Sequence, residues 1–128
     1  MPGGTLDISG AEWEVMRSIW QARGPIPAAA VVAAVAGPCD WSPRTVKTLL
    51  NRLVKKKALG FEARGKVYWY YTLVAQEKCL RHQSTSFLRR VFGGDAAALL
   101  VHFVKSADLS PAQIAELRRV LQGKDKRP

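Results

Sequence analysis

The sequence predicts a mainly α-helical protein with one small β-hairpin, and three observations predict it. Apolar residues recur at helical spacing in several separated stretches, two strand-like runs flank a short glycine turn, and Gly and Pro punctuate the chain between these segments. With 128 residues, 48% of them hydrophobic, the chain suits one compact unit or one small module with an appendage.

Ser9-Gly10-Ala11-Glu12 fits a capping box, in which the Ser9 hydroxyl accepts a free N–H and Glu12 reaches back to the cap. A first helix follows, with Trp13, Met16, Ile19 and Trp20 facing the core and Glu12, Glu14, Arg17 and Gln21 elsewhere on the wheel. Gly24-Pro25 ends it. Ala28 to Ala36 reads as a second, closely packed helix of small residues, closed by Gly37-Pro38. Ser42 then caps a third helix, Pro43 sits at the first helical position that tolerates a missing N–H, and the pattern runs to about Lys57.

Leu59 to Ala63 and Val67 to Leu73 are β-prone runs around Arg64-Gly65-Lys66, which makes a hairpin. Alternation puts Tyr68 and Tyr70 on one side and Val67, Trp69, Tyr71 and Leu73 on the other. Packing of the hairpin onto a core, rather than a base-stacking platform, is the expected use of these rings. Three helices followed by a hairpin is the order of a winged helix-turn-helix domain, here residues 1–74.

Residues 75–128 differ. Leu80, Phe87, Leu88 and Val91 keep helical spacing up to Gly93-Gly94, and Asp95 caps a helix striped by Ala96, Leu99, Leu100 and Phe103. Ser110-Pro111-Ala112-Gln113 starts a last helix carrying Ile114, Leu117 and Leu121. Stripes this narrow cannot enclose a core of their own, so Leu80, Phe87, Leu88, Val91, Leu99, Leu100, Phe103, Ile114, Leu117 and Leu121 are expected to bury against a second copy, as a symmetric homodimer.

Twenty Lys+Arg against ten Asp+Glu give a formal charge of +10, which favours a polyanionic partner. On the third helix Val46, Leu49, Leu50, Leu53 and Val54 share the core side. Arg44, Thr48, Asn51 and Lys55 centre the opposite face, flanked by Thr45, Arg52 and Lys47. Every charged residue between Ser42 and Lys57 is positive, whereas an ordinary solvated helix mixes signs. Its N-terminal end is the end that helix-turn-helix proteins insert into the major groove, so Arg44, Thr45, Lys47 and Thr48 are the base-edge candidates. Lys55 to Lys57 are expected to meet phosphates, as are Arg64 and Lys66 at the hairpin tip, where Gly65 removes side-chain bulk. A sequence-neutral nucleoid or RNA-binding protein would share the charge but not a preference among duplexes.

Other classes find little support. Cys39 and Cys79 are far apart with no CxxC, and His82 and His102 have no carboxylate cluster, so no metal, cofactor or disulfide is expected. GxSxG, P-loop and HExxH strings are absent, which argues against an enzyme. No apolar run reaches the roughly 18 residues of a membrane span, and the N-terminal stretch lacks a secretory pattern, so no membrane insertion and a cytoplasmic location are expected.

Ala11-Glu12-Trp13-Glu14-Val15-Met16, Trp20, and Trp41-Ser42-Pro43-Arg44-Thr45-Val46-Lys47-Thr48-Leu49-Leu50-Asn51-Arg52-Leu53, together with Phe92-Gly93-Gly94-Asp95, resemble the BlaI/MecI/CopY repressors. The resemblance runs from about Ile8 to Leu121. It implies a non-enzymatic homodimer that binds palindromic double-stranded DNA operators and blocks transcription, commonly of β-lactam resistance genes. It also implies a membrane sensor protease acting upstream, with the repressor cut at an Asn-Phe bond that lines up with His102-Phe103 here. The cysteine-rich tail of the copper-responsive branch has no counterpart, since no cysteine follows Cys79.

Overall fold

A computed structural model describes residues 5–125. The element order is α1 (Gly10–Ala22), β1 (Ile26–Pro27), α2 (Ala28–Cys39), α3 (Pro43–Lys55), β2 (Leu59–Arg64), β3 (Val67–Thr72), α4 (Gln76–Phe92), α5 (Ala96–Ser106) and α6 (Pro111–Asp125). The chain divides into two compact units after Ser86. The first holds the three helices and the hairpin, as the sequence pattern predicts.

Its core is built from α1, α2, α3 and the sheet: Val15, Met16, Ile19, Val31, Val35, Val46, Leu49, Leu50, Leu53, Leu59 and Tyr70 are buried together. The core side of α3 is the one expected, with Val54 half-buried at its edge. Burial of these side chains contributes on the order of 1.5–3 kcal/mol each for the larger ones. Trp20 donates from Nε1 to the Val74 carbonyl at 3.0 Å, which fixes α1 to the chain leaving the hairpin. The packing continues past the hairpin: Cys79 on α4 is fully buried in the same core, and Gln83 donates to the Ile8 carbonyl at 2.9 Å. Burial pushes the Cys79 thiol pKa up, with Lys78 as a smaller opposing influence, so this side chain behaves as a small apolar core residue.

Four local expectations change. Glu12, placed outside the apolar stripe of α1, is buried along with Val15, because Lys56 supplies it with a partner inside. The helix α2 continues through Gly37-Pro38 to Cys39 and ends at Asp40, whose φ of 51° turns the chain while its N–H donates to the Ala36 carbonyl. A proline in the last turn removes only one helical hydrogen bond, and the restriction it places on its predecessor falls on a permissive glycine. Helix α3 stops at Lys55, not near Lys57: Lys57 takes φ 66° while its N–H and that of Ala58 donate to the carbonyls of Val54 and Leu53. That double bond pattern is a Schellman closure with lysine in the usual glycine position. Finally, the hairpin gains a third strand. Ile26–Pro27 pairs antiparallel with β3 at Tyr70 and Trp69, giving the order β1-β3-β2.

The second unit contains α5, α6 and the end of α4. Asp95 caps α5 by accepting from Ala98 N–H at 3.0 Å, and Ser110 with Gln113 forms a reciprocal capping box on α6. Phe92 packs between Phe87 and His102, with ring centroids 6.1 Å from each. Neither α5 nor α6 has a single buried residue among the described positions.

Candidate nucleic-acid interface

The capping of α3 sets the geometry of the site. Ser42 Oγ accepts the Thr45 N–H at 3.2 Å and Pro43 occupies the first turn, so the helix begins abruptly and Arg44 stands exposed in its first turn. Burial of Val46, Leu49, Leu50 and Leu53 then dictates the rotation of the helix. Arg44, Thr45, Lys47, Thr48, Asn51, Arg52 and Lys55 all lie on solvent-exposed positions.

These cations are uncommitted. Among the described residues, no ion pair within 4.0 Å uses Arg44, Lys47, Arg52 or Lys55, although Arg17, Lys56, Arg64, Arg81 and Arg119 all have carboxylate partners. A row of unpaired positive charge on a rigid helix attracts phosphate without first breaking internal bonds. Thr48 is more constrained. Its hydroxyl donates to the Arg44 carbonyl at 3.0 Å, leaving its methyl and an acceptor lone pair for an outside partner. An apolar groove of about 640 Å³ opens beside this row, lined by Ala28, Ala29 and Val32 of α2 and by Arg44, Lys47 and Thr48 of α3.

Lys56 departs from expectation. Instead of facing phosphate, its Nζ turns inward, 2.5 Å from Glu12 Oε1 and 2.6 Å from the Asp7 carbonyl oxygen, and the side chain is only 17% exposed. Burial pushes the Glu12 pKa up, but the hydrogen bonds and charge of Lys56 and the Ser9 N–H outweigh it. The carboxyl therefore sits below its ordinary value. The pair ties the N-terminal segment, α1 and the end of α3 together.

The hairpin also sorts its cations. Pairing of Glu62 with Trp69 and of Arg64 with Val67 puts Arg64 on the face of Glu62 and Trp69. There the guanidinium bonds Glu62 at 2.9 Å through Nε and stacks 4.3 Å from the Trp69 ring centroid. Lys66 at the tip is exposed, and Gly65 takes φ 66°, a left-handed conformation that glycine adopts without the strain a side chain would bring. Tyr70 enters the core as expected. Tyr68 does not, remaining 52% exposed next to Phe61 at 45%.

The profile of the penicillinase repressor family matches residues 8–123. The chain belongs to the penicillinase repressor family. Among relatives in this family, the methicillin resistance regulatory protein MecI of Staphylococcus aureus is 36% identical over 97% of this chain and all of its own length. The penicillinase repressor of Bacillus licheniformis is 34% identical, covering 90% of this chain and 89% of that protein. The solved DNA binding domain of the repressor BlaI aligns with a TM-score of 0.52 at 36% identity, covering 56% of this chain and 87% of the domain. The family is one of transcriptional repressors, and this fold is the winged helix of its DNA-binding domain.

Proposed function

We propose that this chain is a homodimeric, sequence-specific repressor that binds palindromic operators in double-stranded DNA, with residues 1–74 as the reading domain and residues 75–128 as the dimerisation region. One observation carries the reading: from Arg44 to Lys55, α3 offers an exposed row of threonines, an asparagine and cations that have no ion pair among the described residues, on a helix whose other side is locked in the core. Arg44 and Lys47 are placed to read guanine edges, and Thr48 offers its methyl to thymine. Asn51, Arg52 and Lys55 follow along the same face toward the backbone. Two such helices in a dimer address successive major grooves, about 34–36 Å apart, which sets half-site spacing near one helical turn or a multiple of it.

The regulated genes are those of β-lactam resistance or a related stress response, the protein works in the cytoplasm, and derepression follows loss of the dimer. No helix among the described residues is long and apolar enough to cross a membrane. A membrane-bound sensor protease acting upstream would cut at His102-Phe103. That bond lies inside α5, where the His102 carbonyl accepts from Ser106 Oγ at 2.9 Å, so cutting requires α5 to unwind locally first.

The test is genomic. Fragments retained by the purified full-length protein at stated salt are footprinted, and a two-fold symmetric site at a promoter is expected. Arg44→Ala should then lose about 1–3 kcal/mol on that site and far less on random duplex. Equal loss on both would remove Arg44 from base reading. Even retention of every fragment would favour a sequence-neutral binder.

A further inference from the structure

The register of the hairpin has a chemical result. Phe61 pairs with Tyr70 and Ala63 with Tyr68, so Phe61, Ala63, Tyr68 and Tyr70 share one face of the sheet, and Tyr70 marks that face as the one turned toward α3. Phe61 and Tyr68 lie with ring centroids 4.9 Å apart and line a concavity of about 350 Å³ together with Asn51, Val54 and Lys55 of α3. Arg64 lies on the opposite face, held by Glu62 and Trp69. The surface of the hairpin that meets whatever lies along α3 is therefore aromatic, with a phenol hydroxyl, and Lys55, which has no ion pair among the described residues, lines the same concavity.

We propose that Tyr68, and not Arg64, is the hairpin's ligand for the DNA backbone. Tyr68 Oη donates to a phosphate oxygen that Lys55 also neutralises, and Phe61 seats the adjoining deoxyribose. The inference rests on the DNA-binding reading above. Its chemistry is specific to a sugar-phosphate strand. A phenol hydroxyl beside an ammonium matches a phosphate, and an exposed ring matches the apolar side of a deoxyribose. Arg64 would have to leave both a carboxylate and a π-face to do the same work.

The experiment compares full-length wild type, Tyr68→Phe, Phe61→Leu and Arg64→Ala on a footprinted operator and on random duplex, across a series of salt concentrations. Tyr68→Phe keeps the ring and removes only the hydroxyl, so its thermal melt should match wild type. Its affinity should fall by at least about 10-fold on both duplexes, since a hydrogen bond to a charged group is lost. Its salt dependence should be unchanged, because no cation is removed. Phe61→Leu should weaken both duplexes less, and Arg64→Ala should stay within about twofold of wild type. A Tyr68→Phe affinity within twofold of wild type, or a larger loss for Arg64→Ala than for Tyr68→Phe, overturns the proposal. Wild type that does not prefer its footprinted operator over random duplex would instead overturn the operator reading, leaving the ranking of these variants on random duplex to decide this one.

Discussion

The two units of this chain use similar local signals to different ends. In the first, a capping box on α1, a serine cap on α3, apolar stripes and a Schellman closure all lead to a shared core in which side chains such as Val15, Met16, Leu50 and Leu53 are inaccessible. In the second, equally well-capped helices leave Leu100, Val101, Phe103, Val104, Ile114, Val120 and Leu121 each at least 42% exposed. Local helix signals are therefore not enough to make a folded domain. A helix of 11 or 15 residues is marginal in water without packing, so the second unit needs an apolar partner. A first unit with its own core beside a second whose apolar residues lie open is the division of labour that the proposed switching by loss of a dimer would need.

The largest effect is expected at the apolar stripe of α5. Leu100→Glu with Phe103→Glu puts two charges on the proposed dimer face while leaving the first unit untouched. Sedimentation should show a monomer, and operator affinity should fall about 100-fold, because the second reading head no longer binds at high effective concentration. The first unit's melting transition should persist. A monomer that still held the operator at wild-type strength would mean that the second unit plays no part in binding.

A smaller effect separates structural from DNA-facing cations within the first unit. Lys56→Ala leaves the Glu12 carboxylate buried and unpaired, and should cost about 3–5 kcal/mol of stability. Lys55→Ala, one residue earlier, should leave melting unchanged and weaken all duplex binding. Joint replacement by Glu12→Gln and Lys56→Met should restore much of the lost stability, since no uncompensated charge remains. Because the Glu12 pKa is lowered in the folded state, its contribution is present above the unfolded carboxyl value and drains away as pH falls through the lower, folded one. The difference in melting temperature between wild type and the double variant should therefore shrink on acidification below about pH 4.5. A Lys56→Ala protein that melts normally but binds DNA weakly would return Lys56 to the phosphate contacts.

Much of this was legible in the residues. Spacing alone places the core side of α3, the caps at Ser9, Ser42, Asp95 and Ser110, and the exposed basic row. Periodicity works there because one side of each helix meets a core and the other meets water. What it misses are pairings between distant segments. The inward turn of Lys56 depends on Glu12, 44 residues away, and strand β1 depends on β3. Gly60 in β2 had no visible role, yet a Cβ there would come within 2.6 Å of the Tyr71 ring, so the glycine is there to let the ring lie on the strand. Alternation puts Tyr68 and Tyr70 on one side, as the register does, but carries no sign that the sheet outruns the core, leaving Tyr68 exposed where Tyr70 is buried.

The weakest effect is expected at a capping motif that both units carry. Ser9 with Glu12 and Ser110 with Gln113 make capping boxes of nearly equal geometry, at 3.1 and 2.9 Å in α1 and at 3.1 and 3.0 Å in α6. Each Ser→Ala change removes the same acceptor, worth about 1 kcal/mol. In α1 the loss should appear in global unfolding, since that helix cannot fray without opening the core. In α6 it should appear as faster amide exchange in the first turn, with the first unit's melt unchanged, and should weaken as protein concentration rises and dimers form. If Ser110→Ala lowered the first unit's melting transition as much as Ser9→Ala does, the two units would be one cooperative body. The contrast between a first unit with its own core and a second unit without one would then be lost.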